Sequence, residues 1–281
     1  MSKGQWYPGS MTRAVNQLRE DLKTIDLVIE LLDARIPYSS RNPVFSDLAE
    51  NKRHLVLLHK ADRAENDSTE AWLSHFRKTG AEAMAFSVHR KQDLSRLMNY
   101  LNKEESRMRS GRFKRPLRMI FVGIPNVGKS TLINLFVHKA VTRTGNRPGI
   151  TRGKQWIRIM PGMEFLDTPG ILMPRINEVT SPPLAVVGAI PAGRVDIHDA
   201  ALWLIERYLE KGKFDLLINK YPGLESGEAE QIFVQIGLSQ GCLQSEGKVD
   251  TERTAALLLR DFQGGTLGRF TLESPPGRVS L

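Results

Sequence analysis

The sequence predicts an α/β protein: a doubly wound domain with a mostly parallel sheet and helices on both faces, then a small all-helical C-terminal domain. Three observations predict it. As far as Leu166, short apolar runs alternate with helical stretches, the rhythm of parallel strands joined by helical crossovers. A glycine-bearing turn, Gly123 to Ser130, opens between one such run and a helical one. Beyond Ser181 the spacing of apolar residues becomes helical.

Taken in order, Met11, Val15, Leu18 and Leu22 have the spacing of a short amphipathic helix. Strands are expected at Ile25 to Leu32, Leu55 to Leu58, Ala83 to Phe86 and Met119 to Gly123, with a helical run from Thr131 to Phe136. Trp156 to Ile159 and Glu164 to Leu166 flank the turn Pro161-Gly162 and form a second strand group. Ser181-Pro182-Pro183, the small and apolar Leu184 to Ile190, and Pro191-Ala192-Gly193 read as a connection rather than an element. Ile197, Ala200, Ala201, Leu204 and Tyr208 then mark a helix that stops at Lys211-Gly212, a basic last turn followed by glycine. Ala255, Leu258, Leu259 and Phe262 mark another behind Asp250 and Thr251, either of which suits a cap. The expected division is a domain over 1–178, a connector over 179–195 and a helical domain over 196–281.

A chain of 281 residues exceeds the usual single domain of about 100–150 residues, which agrees with two domains. With 41% hydrophobic and 25% charged residues it has globular composition, which excludes a disordered or collagen-like chain. No apolar run reaches the length of a membrane span and the N-terminus lacks the apolar core of a secretory signal, so a cytoplasmic protein is expected. The single cysteine, Cys242, cannot form an internal disulfide and is read as a bystander. A net charge of +9 suits a polyanionic partner such as nucleic acid or an acidic membrane. It is concentrated in the first domain: seven basic residues against Glu104 and Glu105 between Lys103 and Arg118, and six with no acid between Lys139 and Arg158.

Gly123-Ile124-Pro125-Asn126-Val127-Gly128-Lys129-Ser130 matches G-x-x-x-x-G-K-[ST], after a strand and before a helix. Glycines let the backbone turn its N–H groups inward around a phosphate, and the helix N-terminus adds partial positive charge. Lys129 is expected on the β- and γ-phosphates and Ser130 on Mg²⁺, with Pro125, Asn126, Val127, Gly128 and Thr131 completing the loop's nucleotide contacts. Asp167-Thr168-Pro169-Gly170 ends a strand segment, where a carboxylate holding Mg²⁺ through water and a γ-phosphate-sensing amide, that of Gly170, belong. Between the two, Thr151 in Arg147 to Thr151 can place a second hydroxyl on the magnesium. This intervening basic, turn-rich stretch reads as a switch loop.

The base is read upstream. His59-Lys60-Ala61-Asp62 resembles the N-K-x-D element of GTPases with histidine in place of asparagine. A carboxylate at Asp62 accepts from guanine's ring N–H and its amino group. Adenine lacks that donor pair and would leave the carboxylate unpaired. Ser87 and Val88, after the next strand, suit the loop that closes over the base. The expected ligands are therefore GTP and GDP with Mg²⁺.

These elements stand in permuted order: Asp62 and Ser87 precede the phosphate loop, Thr151 and Asp167, so the domain reads as a circularly permuted P-loop GTPase. The segment Asp167 to Gly170 consequently leads into the helical domain. Together with Trp6-Tyr7-Pro8-Gly9, Asp33-Ala34-Arg35-Ile36-Pro37, Ser39 to Pro43, Gly188-Ala189-Ile190 and Leu267-Gly268-Arg269, this order resembles the circularly permuted ribosome-assembly GTPases of the YlqF or RbgA family, over nearly the whole chain. The resemblance implies a cytoplasmic GTPase that binds ribosomal RNA on the large subunit late in assembly, leaves after hydrolysis and, as is often so in the family, is stimulated by potassium; a monomer is expected. It assigns that ion to Asn126.

Three departures matter. Ile171 stands where many GTPases carry a water-orienting glutamine. Ser10 follows Pro8-Gly9 where the resembled family has a histidine thought to supply that role, and serine is no base at neutral pH. His59 replaces asparagine. The catalytic candidates are Lys129, Thr151, Gly170 and Ser10, and slow hydrolysis without the ribosome and potassium is expected. A nucleotide-gated RNA-binding scaffold with little hydrolysis, and a GTPase of another pathway, stay open as alternatives. Asp33 and Arg35 are read as closing a strand end by pairing with each other or with the backbone.

Overall fold

A computed structural model of the chain describes residues 16–42, 52–110, 115–144 (backbone only from 137), 156–166, 177–190, 193, 195–245 and 247–276. It divides into two compact units, Met1–Pro174 with Glu273–Leu281, and Arg175–Leu272. The sequence placed a connector over 179–195 and a helical domain over 196–281. The structure instead puts the former segment inside the second unit and returns the chain to the first at Glu273.

The first unit is built on six strands: β1 (Leu27–Asp33), β2 (Arg53–His59), β3 (Glu82–Phe86), β4 (Leu117–Gly123), β5 (Trp156–Met160) and β6 (Met163–Leu166), in the order β3-β2-β1-β4-β6-β5. All neighbours are parallel except β5 and β6, an antiparallel pair. β1 reads LVIELLD and is buried at every position, as a central parallel strand covered on both faces must be. Strands at both ends outrun their apolar cores because ladder hydrogen bonds continue through Arg53, Asp33 and His59, whichever way the side chain partitions. Ile25, expected in β1, precedes the strand and is buried in the turn behind the helix over residues 16–22.

Leu18 and Leu22 of that helix pack on Val28, Ile120 and Val122, while Trp72, Leu73 and Phe76 of α1 (Asn66–Lys78) pack on Leu32, Val56 and Leu58. α2 (Lys91–Arg109) precedes β4 and α3 (Lys129–Thr144) follows the phosphate loop.

The second unit is helical: α4 (Ser181–Val186), α5 (Ile197–Glu210), α6 (Phe214–Lys220), α7 (Ala229–Ser239) and α8 (Thr251–Gly264). α4 corrects the reading of Ser181 to Ile190 as a connection. Proline lacks only an N–H that the first helical turn leaves unbonded anyway, so Pro182-Pro183 starts a helix as readily as a loop. Asp196 caps α5 through the His198 amide, and Asp250, rather than Thr251, caps α8 through the Arg253 amide. Cys242 is buried and free. Among the described residues no helix is long and apolar enough to cross a membrane.

Candidate nucleotide-binding site

Parallel registry brings the sequence motifs to one edge of the sheet. Asp33 stands beside His59, His59 beside Phe86, and Leu31 beside Gly123, so the loops after β1, β2, β3 and β4 open at the carboxyl end, where ligands bind in open α/β sheets.

The phosphate loop is shaped by what cannot fit. Gly123 has φ 154°, and a side chain there would put its Cβ 2.5 Å from the Leu31 carbonyl oxygen. Gly128 has φ 108°, and a Cβ would overlap the imidazole of His59. Val127 is buried and anchors the loop, whereas Asn126, Ser130 and Thr131 are exposed at its rim and the N-terminus of α3. The Lys129 ammonium curls over the loop and donates to the carbonyls of Gly123 at 2.5 Å and Ile124 at 2.8 Å. Burial lowers its pKa to about 8, so a nearby anion would find a cation whose desolvation is already partly met.

The loop after β2, the candidate base reader, is tied to this one. Lys60 donates from its ammonium to the Asp33 carboxylate at 3.0 Å and to the Asn126 carbonyl at 3.0 Å. Asp33 is buried and accepts a two-point contact from Arg35, at 2.9 Å from Nε and 2.8 Å from the terminal nitrogen. Burial alone would raise the Asp33 pKa, but the two cations hold it far below the carboxylate range, while burial outweighs Asp33's pull and lowers that of Lys60. His59 is buried and stacked on Phe86; burial, with the Lys60 charge beside it, keeps its imidazole neutral down to about pH 4.

Asp62 is half-buried. Burial opposes its ionisation, yet the Ser87 hydroxyl, a backbone amide and the Arg63 guanidinium bring its pKa below the ordinary value, so it stands as an acceptor-only carboxylate. Ser87 is buried, its amide donating to Asp93 at 2.9 Å and its hydroxyl accepting from the His89 amide at 3.1 Å. The Ala61 amide donates to the Phe86 carbonyl at 3.2 Å and joins the loops after β2 and β3. Half-buried Val88 follows.

His59, Lys60, Asp62, Ser87, Val88 and Pro125 to Thr131 thus gather at the sheet edge. Ser10, Thr151, Asp167 and Gly170 lie outside the described residues, although β6 ends at Leu166, one residue before Asp167. No group of three or more His, Cys, Asp or Glu suited to a metal occurs among the described residues. Hydroxyl oxygen is nonetheless the donor type Mg²⁺ prefers, and Ser130 offers it at the exposed loop rim.

The sequence alone places Asp33 at a strand end, with no part in the site. Its signal was a charged pair, Asp33 and Arg35, ending a strand of otherwise core character. The basic run near Lys103 to Arg118 is largely compensated where described: Arg107 pairs with Glu104, Arg109 with Glu105, Arg115 with Asp26 and Arg118 with Glu164.

Residues 118–227 match the family described as 50S ribosome-binding GTPase. Over 278 residues the chain is 40% identical to ribosome biogenesis GTPase A of Bacillus cereus, an alignment covering 96% of this chain and 94% of that protein. The crystal structure of GNP-bound YlqF from T. maritima is similar with a TM-score of 0.66 and 29% identity, covering 94% of this chain and 99% of that one. A GDP-bound YlqF structure is similar with a TM-score of 0.65 and 29% identity, covering 92% and 99%.

Proposed function

We propose the function of this chain from one premise: it belongs to the ribosome biogenesis GTPase A family. It is accordingly a GTPase of ribosome biogenesis. Our finer reading is a factor for late assembly of the large subunit, which binds ribosomal RNA while GTP is bound and leaves after hydrolysis. The observation that supports its nucleotide part is the Lys60 bridge, which links the loop after β2, read here as the base reader, to the phosphate loop at Asn126. The description of the matched family as 50S ribosome-binding and the net charge of +9 support the large subunit and its RNA as partner.

In this reading Asp62 selects guanine, Ser87 and Val88 flank the base, and the loop amides with Lys129 neutralise the β- and γ-phosphates. Ser130, Thr151 and, through water, Asp167 would hold Mg²⁺, and Asn126, whose amide oxygen suits a hard cation, would hold K⁺. These ions supply positive charge where negative charge develops on the phosphates. Gly170 senses the γ-phosphate, and Ser10 is the hydrogen-bonding group available near the attacking water. Since serine and Ile171 provide no base, turnover depends on the ribosome and potassium. The chain works as a cytoplasmic monomer.

The test is titration with GTP, GDP and a non-hydrolysable GTP analogue, each with and without purified large subunits and potassium. Tighter subunit binding with the analogue than with GDP, weakened by salt, is expected. Equal subunit binding in all nucleotide states would refute it.

A further inference from the structure

Away from the nucleotide loops, a hydrogen-bonded path enters the site from the other end of the chain. The Glu273 carboxylate accepts from the Tyr38 amide at 2.7 Å and from the Ser39 amide at 3.1 Å and 3.2 Å, and its carbonyl accepts from the Trp72 indole at 3.2 Å. Tyr38 and Ser39 belong to a tight turn hung on β1. In it Ile36 donates to the Asp33 carbonyl, Ser40 to that of Ile36, and the Asp33 amide to the Ser40 hydroxyl at 3.1 Å. The Asp33 carboxylate then holds Lys60, and Lys60 the phosphate loop at Asn126. Nothing in the nucleotide motifs calls for Glu273. Burial even opposes its charge, raising its pKa to about 6 against the amides that favour the anion.

We propose that Glu273 is a positioning residue for the nucleotide: seated on the Tyr38 and Ser39 amides, it braces the turn that carries Asp33 and thereby the Lys60 bridge. The proposal rests on the nucleotide reading of that pocket. It gives the crossover a purpose, because the chain leaves the first unit after Pro174, beyond the Asp167 to Gly170 segment, and re-enters it at Glu273. Two residues earlier, in the second unit, the Thr271 carbonyl accepts from Lys211 at 2.8 Å, so an anchored residue stands on each side of Leu272.

The test follows release of the fluorescent analogue mant-GDP from the full-length protein. Glu273→Ala should release it about tenfold faster, the loss expected of one charge-assisted hydrogen bond. Glu273→Gln, which keeps an acceptor but not the charge, should fall between, and with GTP the KM should rise while kcat holds. Asp250→Ala, which uncaps α8 in the second unit, serves as the control for destabilisation alone. Release within twofold of wild type in both Glu273 variants, or equal acceleration in Asp250→Ala, would overturn the proposal; if Glu273→Ala does not fold, Glu273→Gln decides on the same criterion. Wild-type protein that fails to bind mant-GDP would instead refute the nucleotide reading itself.

Discussion

Lys60 and Asn126 are the two non-glycine residues among the described ones with left-handed backbones, at φ 60° and 57°, and the ammonium of the first donates to the carbonyl of the second at 3.0 Å. Such conformations cost on the order of 1–3 kcal/mol each and persist only where the surroundings impose them. Here the Lys60 ammonium ties the two loops together, and the Asp33 carboxylate accepts from the same ammonium at 3.0 Å.

Asp33→Asn keeps the shape of the strand end and removes the charge that Arg35 and Lys60 share. Two cations are then left without their common anion, one of them fully buried, and breaking a buried pair this way costs about 3–5 kcal/mol. The thermal midpoint should drop and mant-GDP affinity with it, read by calorimetry and fluorescence titration. A variant as stable as wild type would show that Asp33 is not the keystone.

Gly128→Ala meets two obstacles at once, a φ of 108° and the imidazole of His59. Trimming the imidazole removes only one of them. His59→Ala combined with Gly128→Ala should thus recover part of the lost thermal stability but little of the nucleotide binding, because the loop's amides stay misdirected. Full recovery of binding in the double variant would mean that His59 contact alone sets the glycine.

Acid should loosen the first unit through His59. Its folded pKa, about 4, lies below the ordinary imidazole value of 6.5, so the unfolded chain binds the proton more readily. The stability linked to the neutral imidazole is present above about pH 6.5 and is lost as pH falls toward 4, an effect of roughly 3 kcal/mol. Glu273 works the other way: its raised pKa favours the folded state as pH falls through about 6. Denaturant unfolding of wild type and His59→Asn across this range isolates the histidine, since only wild type should show the acid slope. Parallel slopes would place the titration elsewhere.

Much of this site was legible because its chemistry is local. The phosphate loop, His59 to Asp62 and Ser87 each declare themselves within a few residues, and the apolar runs of β1, β2 and β4 place them at strand ends. What stayed hidden depends on residues far apart in sequence. Asp33 meets Lys60 only through the pairing of β1 with β2. Glu273 meets Ser39 across the whole length of the second unit. In α2 Arg107 and Arg109 pair with glutamates three and four residues away, which a count of charge does not separate from a free basic face. Pro182-Pro183 spells a helix start and a loop alike until Leu184 and Val186 are buried.

Lys129→Ala should separate binding from folding. The ammonium's partners are two carbonyls of its own loop, so its loss removes no cross-strand or core contact, and the thermal midpoint of the protein without nucleotide should stay near wild type. Triphosphate affinity should fall by about 10–10²-fold, the loss of one hydrogen-bonded charge on the phosphates. The loss should be greater for GTP than for GDP, since the lysine is read as reaching both the β- and the γ-phosphate. Isothermal titration with both nucleotides gives the ratio, and equal losses would leave Lys129 serving the β-phosphate alone.

Asp62→Ala asks which base the pocket wants. The carboxylate is held ionised beside the Ser87 hydroxyl, a pure acceptor with no proton to give adenine's ring nitrogen. On the proposed reading guanine's two donors would add to the bonds Asp62 already accepts, and adenine would supply neither, a difference of about 1–3 kcal/mol per unmet bond. Removing the carboxylate removes both the reward and the penalty. The affinity for GTP should fall and that for ATP should hold or rise, so their ratio moves toward one while phosphate contacts through Lys129 persist. An unchanged ratio would move base recognition from Asp62 to the backbone around Ser87 and Val88.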